Sequence, residues 1–86
     1  MAQGNKKIIF YGTNWCPDCL RAKRILEREE IEFQEINVEI DKDAEARVRQ
    51  LNNGNRSVPT IIFPDGTQLT EPSGSELREK LRSLTQ

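Results

Sequence analysis

Tyr11-Gly12-Thr13-Asn14-Trp15-Cys16-Pro17-Asp18-Cys19-Leu20 is the stretch on which the fold turns, because the spacing of apolar residues changes period across it. Before it, Ile8-Ile9-Phe10-Tyr11 is β-branched and aromatic and is bounded by Gly12-Thr13-Asn14, which predicts a short buried strand. After it, Cys19, Ala22 and Leu26 follow i, i+3, i+7 with Ile25 beside them, while Arg21, Lys23, Arg24 and Arg28 take the other positions. That is the pattern of an amphipathic helix. Pro17 suits its first turn, where a missing N–H costs nothing. The two cysteines therefore sit at a strand-to-helix junction.

Working outward, Phe33 to Val38 is the second strand, with Ile36, Val38 and Ile40 alternating. Ile31 and Phe33 fall in the opposite phase, so a twist or kink near Gln34 is expected. Asp41 or Asp43 can cap a second helix with the stripe Ala44, Val48 and Leu51, and Asn52-Asn53-Gly54 supplies left-handed residues to end it. Pro59 precedes a third strand, Thr60-Ile61-Ile62-Phe63. Pro64-Asp65-Gly66 is turn chemistry leading to Thr67 to Thr70 as a hairpin partner. Ser73 with Glu76 makes a capping box, and Leu77, Leu81 and Leu84 mark one face of a last helix. The order β-α-β-α-β-β-α predicts a mixed four-stranded sheet between helices. With a Cys pair opening the first helix, this α/β order is the thioredoxin-fold arrangement.

A chain of 86 residues, 35% hydrophobic and 31% charged, holds one core, so residues 1–86 are read as a single domain. Its longest apolar run, Ile8 to Tyr11, is far short of the roughly 20 residues that a helical membrane span needs, and no cleavable signal pattern precedes it. No membrane association is expected; the mature chain is expected to start near Met1 and to stay in the cytoplasm, and a monomer is the default state. Lys and Arg number 13 against 14 Asp and Glu, a formal net charge of -1 that gives no field for nucleic acid. Residues 27 to 45 nevertheless carry nine acids against Arg28 and Lys42. This tract is read as a solvated helix end and edge strand, with an acidic docking patch as the alternative.

The sequence has no His, which removes the commonest general base and zinc ligand and every Cys-His pair. Cys16 and Cys19, the only cysteines, cannot build a disulfide framework or complete a four-ligand zinc site, so no metal is assigned and redox chemistry is left. Position sets the roles. Cys16 lies at the helix start, where unpaired N–H groups and the positive end of the dipole favour a thiolate. Cys19 lies one turn deeper, on the core side. Cys16 is thus expected to be exposed and to attack an external disulfide, and Cys19 to resolve the mixed disulfide. Trp15 offers either a hydrophobic contact at the start of the helix or a flat apolar surface beside the sulfur. Asp18 is a first-turn acid that fits the dipole, with proton relay or repulsion of Cys16 as alternatives. A cis bond before Pro59 would bring the Val58 backbone opposite the thiols, free to pair with an extended ligand. Lys6, Lys7, Arg47, Arg49 and Arg56 are solvated surface or candidates to meet a ligand carboxylate, Arg56 being nearest to Val58 in sequence.

The stretch Tyr11 to Leu20, Asn53-Gly54-Asn55-Arg56-Ser57-Val58-Pro59-Thr60, Phe63-Pro64-Asp65-Gly66-Thr67 and Leu69-Thr70-Glu71-Pro72-Ser73 together resemble the glutaredoxin family, and within it the mycoredoxins. The resemblance spans nearly the whole chain. It implies a cis bond before Pro59, Cys16 as nucleophile, Cys19 as resolving thiol, and a thiol- or substrate-binding set of Thr13, Trp15, Pro17, Arg56, Val58, Pro59 and Ser73. No tightly bound cofactor is implied; the reductant would be a low-molecular-weight thiol, mycothiol or glutathione, or a thioredoxin-reductase-type electron donor, and the partners disulfide-containing proteins. Two departures stand out. Glutathione-using members carry a Gly-Gly-x-Asp turn where this chain has Pro72-Ser73-Gly74-Ser75, and mycoredoxins usually read Cys-Gly-Tyr-Cys where it has Pro17 and Asp18. The expected function is reduction of protein disulfides or protein-thiol mixed disulfides. The rival readings are an iron-sulfur cluster carrier in which two chains each donate Cys16, an electron donor to a reductase such as ribonucleotide reductase, and a docking module with an idle disulfide.

Overall fold

The computed structural model of the chain describes residues 7–84, so Lys6 lies outside the described residues. Its elements run β1 Ile8–Gly12, α1 Pro17–Arg28, β2 Phe33–Asn37, α2 Lys42–Leu51, β3 Thr60–Ile62, β4 Gln68–Thr70 and α3 Gly74–Leu84. The strands form one sheet in the order β2-β1-β3-β4. β1 pairs parallel with β2, while β1 with β3 and β3 with β4 are antiparallel. The element order and the mixed four-stranded sheet are as expected.

Strand alternation divides the interior between the two faces of the sheet. Ile8 and Phe10 of β1 pack with Ile61 and Phe63 against Cys19, Ala22 and Leu26 of α1 and Leu77 and Leu81 of α3. Phe10, Leu26 and Ile61 are wholly buried there, each such side chain contributing about 1.5–3 kcal/mol on leaving water. On the other face, Tyr11 and Ile36 pack with Val38 against Ala44 and Val48 of α2.

The two phases seen in residues 31 to 38 have their explanation in this layering, and the expected kink near Gln34 is absent. The β1–β2 register runs unbroken from Ile8 opposite Phe33 to Gly12 opposite Asn37. Ile31 and Phe33 join the α1/α3 side, Phe33 meeting the Phe10 ring at 5.8 Å between centroids, whereas Ile36 and Val38 join the α2 side. Ile40 does not continue the alternation and is exposed. The strand has ended by then, since the Asn37 carbonyl accepts the N–H groups of Ile40 and Asp41 at 3.2 and 3.0 Å and turns the chain.

Side chains close the elements as their chemistry requires. Asp41 caps α2 by accepting the Ala44 N–H at 3.0 Å. At α3, Ser73 Oγ accepts the Glu76 N–H at 3.1 Å while Glu76 Oε1 accepts the Ser73 N–H at 2.8 Å, the reciprocal capping box. The far end of α2 is fastened to the sheet by a polar cluster that periodicity cannot reveal. Asn52 Nδ2 donates to the Val48 carbonyl at 2.9 Å and to Thr60 Oγ1 at 3.0 Å. Asn52 Oδ1 accepts from Thr70 Oγ1 at 2.8 Å and Gln68 Nε2 at 3.2 Å. Thr60 Oγ1 in turn donates to the Ser57 carbonyl at 2.7 Å, tying down the loop that leads to Val58 and Pro59.

Gly12 leaves no room for a side chain between Phe10 of β1 and Cys19 of α1. A Cβ placed on Gly12 would come to 2.8 Å from Phe10 Cε1 and 3.0 Å from Cys19 Sγ. Gly12→Ala is therefore expected to destabilise the chain by about 1–3 kcal/mol, the usual cost of overpacking, as read from the midpoint of urea unfolding. A midpoint equal to that of the parent chain would show that α1 can lift from the strand at no cost.

Candidate active site

Cys16 is the N-cap of α1, with φ −75° and ψ 121°, and Pro17 takes the first helical position. The cap geometry folds the Cys16 side chain back over the helix end, where Sγ accepts the Cys19 N–H at 3.3 Å. An anionic sulfur gains more from such a donor than a neutral one, and the N-terminal turn adds its dipole. The Cys16 carbonyl accepts the Leu20 N–H at 2.9 Å, so the same residue opens the helical ladder. Across from it, the Val58 carbonyl lies 4.0 Å from Cys16 Sγ, and the Val58–Pro59 peptide bond is cis.

The expected exposure of Cys16 needs correction. Its relative accessibility is 8%, against 0% for Cys19, so the order of the two thiols is as expected but Cys16 shows only a narrow face to solvent. The reason is tertiary: the sulfur that reaches back to the Cys19 N–H also packs into the α1/α3 core cluster and faces the Val58 segment. Both thiols are free.

Cys19 is a different kind of thiol. Burial pushes it up to about 12, with the hydrogen bond to Cys16 acting in the same direction and the Thr13 backbone N–H pulling the other way. Thr13 itself is fully buried, and its hydroxyl has no hydrogen-bond partner among the described residues.

The remaining candidates fall into two groups. Thr13, Trp15, Pro17, Val58 and Pro59 converge on the cysteines through the 13–17 loop and the approach to β3. Trp15 is 62% exposed, so its ring is a surface feature and not a core contact, and its Nε1 donates to Glu39 Oε2 at 2.7 Å. Asp18 pairs with Arg21 at 2.7 Å on the exposed side of the first turn. Arg56 is engaged by acids of the chain, with Nε 3.0 Å from Glu45 Oε2 and Nη2 4.0 Å from Glu39 Oε2. Arg49 shares Glu45 at 3.3 Å. Ser73 stands apart at the start of α3, its hydroxyl used by the helix cap; the nearest link to the site is Glu71, whose N–H donates to the Pro59 carbonyl at 2.8 Å.

Sequence reasoning missed Glu39. It is one of nine acids in the tract from 27 to 45, and nothing in the spacing separates it from its solvated neighbours. Its placement depends on β2 ending beside the cysteine loop, where Val38 N–H donates to the Gly12 carbonyl at 3.0 Å. Asn37 Oδ1 then fixes the Glu39 backbone by accepting its N–H at 2.8 Å.

The raised Cys19 thiol sets a pH dependence whose sign is fixed. Between an ordinary value of 9.0 and about 12, the unfolded chain releases a proton that the native chain retains, so stability of the reduced protein is lost as pH rises through that window. Urea unfolding followed from about pH 9 to pH 11 should fall more steeply for the reduced parent than for Cys19→Ala. Parallel slopes would show that Cys19 ionises alike in both states.

Comparison with known proteins places this geometry. The Glutaredoxin family matches residues 8–68. A glutaredoxin-named protein of Mycobacterium tuberculosis is 42% identical over 74 residues, 86% of this chain and 88% of the relative. Mycoredoxin 1 of Corynebacterium glutamicum is 36% identical over 77 residues, 90% of this chain and 95% of the relative. Among solved structures, the glutaredoxin of Archaeoglobus fulgidus superposes with a TM-score of 0.75 at 28% identity, covering 93% of this chain and 90% of that one. The glutaredoxin-like NrdH-redoxin of Escherichia coli does so with a TM-score of 0.73 at 26% identity, covering 86% and 93%. The thioredoxin-like fold, the cysteine pair capping α1 and sequence identity over most of the chain agree, and the chain belongs to the glutaredoxin family.

Proposed function

We propose that the chain is a thiol-disulfide oxidoreductase that reduces protein disulfides and protein-thiol mixed disulfides. The observation that carries this reading is the asymmetry of the pair: Cys16 caps α1 with 8% of the residue open to solvent, and Cys19 is wholly buried beneath it with its thiol held protonated. In the first step Cys16 thiolate attacks one sulfur of the substrate disulfide; a bond from Cys16 Sγ to that sulfur forms, the substrate S–S bond breaks, and the other sulfur leaves as a thiolate. In the second, Cys19 Sγ attacks Cys16 Sγ, forming the Cys16–Cys19 disulfide and breaking the bond to the remaining substrate sulfur, which takes up the Cys19 proton and leaves as a thiol. The substrate gains two electrons and the protein dithiol loses them. An outside thiol can replace Cys19 in the second step when the mixed disulfide carries only a small group.

Val58 offers its backbone opposite Cys16, where an extended ligand can pair with it, and Thr13, Trp15, Pro17, Arg56, Pro59 and Ser73 complete the proposed binding set. No helix among the described residues is long and apolar enough to cross a membrane. The reading places the protein in the cytoplasm as a monomer, serving disulfide-containing proteins. Mycothiol, glutathione and a thioredoxin-reductase-type donor are the candidate reductants. The first is favoured by the identity to mycoredoxin 1 and the last by the likeness to an NrdH-redoxin whose activity profile is described as thioredoxin-like. An assay that supplies each separately identifies the one that sustains turnover.

The test of the thiol roles is a split between mutants. Cys16→Ser should lose activity by at least about a hundredfold on every disulfide, because a hydroxyl at the cap cannot replace the thiolate nucleophile. Cys19→Ser should retain most activity on a protein carrying a small thiol, yet stall as a trapped covalent complex on a disulfide between two protein cysteines, visible by mass spectrometry without reductant. Full activity of Cys16→Ser on either substrate would overturn the assignment.

A further inference from the structure

The rim of the site carries an ion cluster that the exchange chemistry does not use. Trp15, next to the nucleophile, donates its indole N–H to Glu39 Oε2 at 2.7 Å. The same oxygen faces Arg56 Nη2 at 4.0 Å, and Arg56 Nε lies 3.0 Å from Glu45 Oε2, an ion pair whose angle makes no hydrogen bond. Arg56 is two residues along the chain from Val58, whose carbonyl faces Cys16 Sγ, so it is a cation that can meet an anion on a ligand bound along that segment. Its charge is already answered by two acids of the chain. Glu39 is not a drifting surface acid, since its backbone is fixed by Asn37 and its side chain by Trp15.

We propose that Glu39 is a specificity-determining residue which, by occupying Arg56 and presenting its own negative charge beside Trp15, biases Cys16 against thiols and disulfides that carry a carboxylate and toward neutral or cationic ones. This rests on the exchange activity proposed above and names the class of small thiol that its site accepts. An incoming carboxylate must displace Glu39 from Arg56 or sit beside it unpaired, and both are unfavourable. A neutral thiol meets neither obstacle. The Glu39 side chain is 40% exposed and that of Arg56 30%, so the effect is of the modest size expected for charges partly screened by water.

Glu39→Gln keeps an oxygen for the Trp15 N–H and removes the charge. The probes are three symmetric disulfides: bis(2-hydroxyethyl) disulfide, neutral; dithiodipropionate, with two carboxylates; and cystamine, with two ammonium groups. Each is reduced to two thiols as Cys16 and Cys19 are oxidised to their disulfide, and the rate of thiol release is compared as ratios, which cancel any general change in Cys16 reactivity. In Glu39→Gln the rate ratio of dithiodipropionate to the neutral disulfide should rise about five-fold and that of cystamine should fall. The rise should shrink in about 1 M salt and be smaller when both chains also carry Arg56→Gln, where only the charge of Glu39 itself is removed. Unchanged ratios, or a rise undiminished by salt or by the loss of Arg56, would overturn the proposal. Failure of the parent chain to reduce even the neutral disulfide is a separate result, and it would overturn the exchange reading itself together with this inference.

Discussion

The site exists because α1 can lie against β1 with almost no side chain between them at Gly12. A methyl group there would meet Phe10 and Cys19 Sγ at once, so the strand, its aromatic ring and the deeper thiol form one packed unit. Everything at the helix start follows from that contact. Cys19 is buried because it faces the strand, and its backbone N–H then points at Cys16 Sγ, the atom that caps the helix. One sulfur sits at the positive end of the helix with a slim opening, and the other loses its water and holds its proton. Two chemically identical residues thus come to lie in different surroundings through three residues of helical geometry.

The other half of the site is built from the opposite face of the sheet. Val58 is carried into position by a loop whose last turn is fixed through Thr60 to Asn52 at the end of α2. Each of those hydrogen bonds contributes only about 1 kcal/mol net, yet leaving any of the buried groups unpaired would cost more than that. The network therefore serves the register of the 55–59 segment more than overall stability. Both layers of the fold thus converge on Cys16, one presenting the sulfur and the other the backbone facing it.

Charge at the rim is arranged differently from charge on the rest of the surface. Most of the acidic tract between residues 27 and 45 is solvated, as an edge strand and helix ends require. Glu35 pairs with Lys23 at 2.6 Å, and Glu39 and Glu45 reach Arg56, Glu39 also accepting the Trp15 indole N–H. Asp65 shows the contrast on the far side of the molecule. Its hydrogen bonds with Lys80 and Thr67 hold its carboxyl well below the usual carboxylate range, but the pair joins a turn to α3 and stays clear of the thiols.

The element order, the starts of α1 and α3 and, to within Asp41 or Asp43, that of α2 were legible along the chain. Each of these rests on local rules: Pro17 at a first turn, Ser73 with Glu76 three residues on, Asp41 before a helical stripe, Cys19 in phase with Ala22 and Leu26. Residue spacing could not say that Ile31 and Phe33 face one layer while Ile36 and Val38 face the other, since a strand buried on both sides has no single phase. The folded arrangement was needed to show how little of Cys16 is open, because the residue faces a segment 42 residues away. It alone drew Glu39 out of nine similar acids, since its partners, Trp15 and Arg56, lie 24 residues behind it and 17 ahead. Local hydrogen bonding and periodicity are written along the chain, whereas accessibility and pairing between distant charges arise only when the layers close.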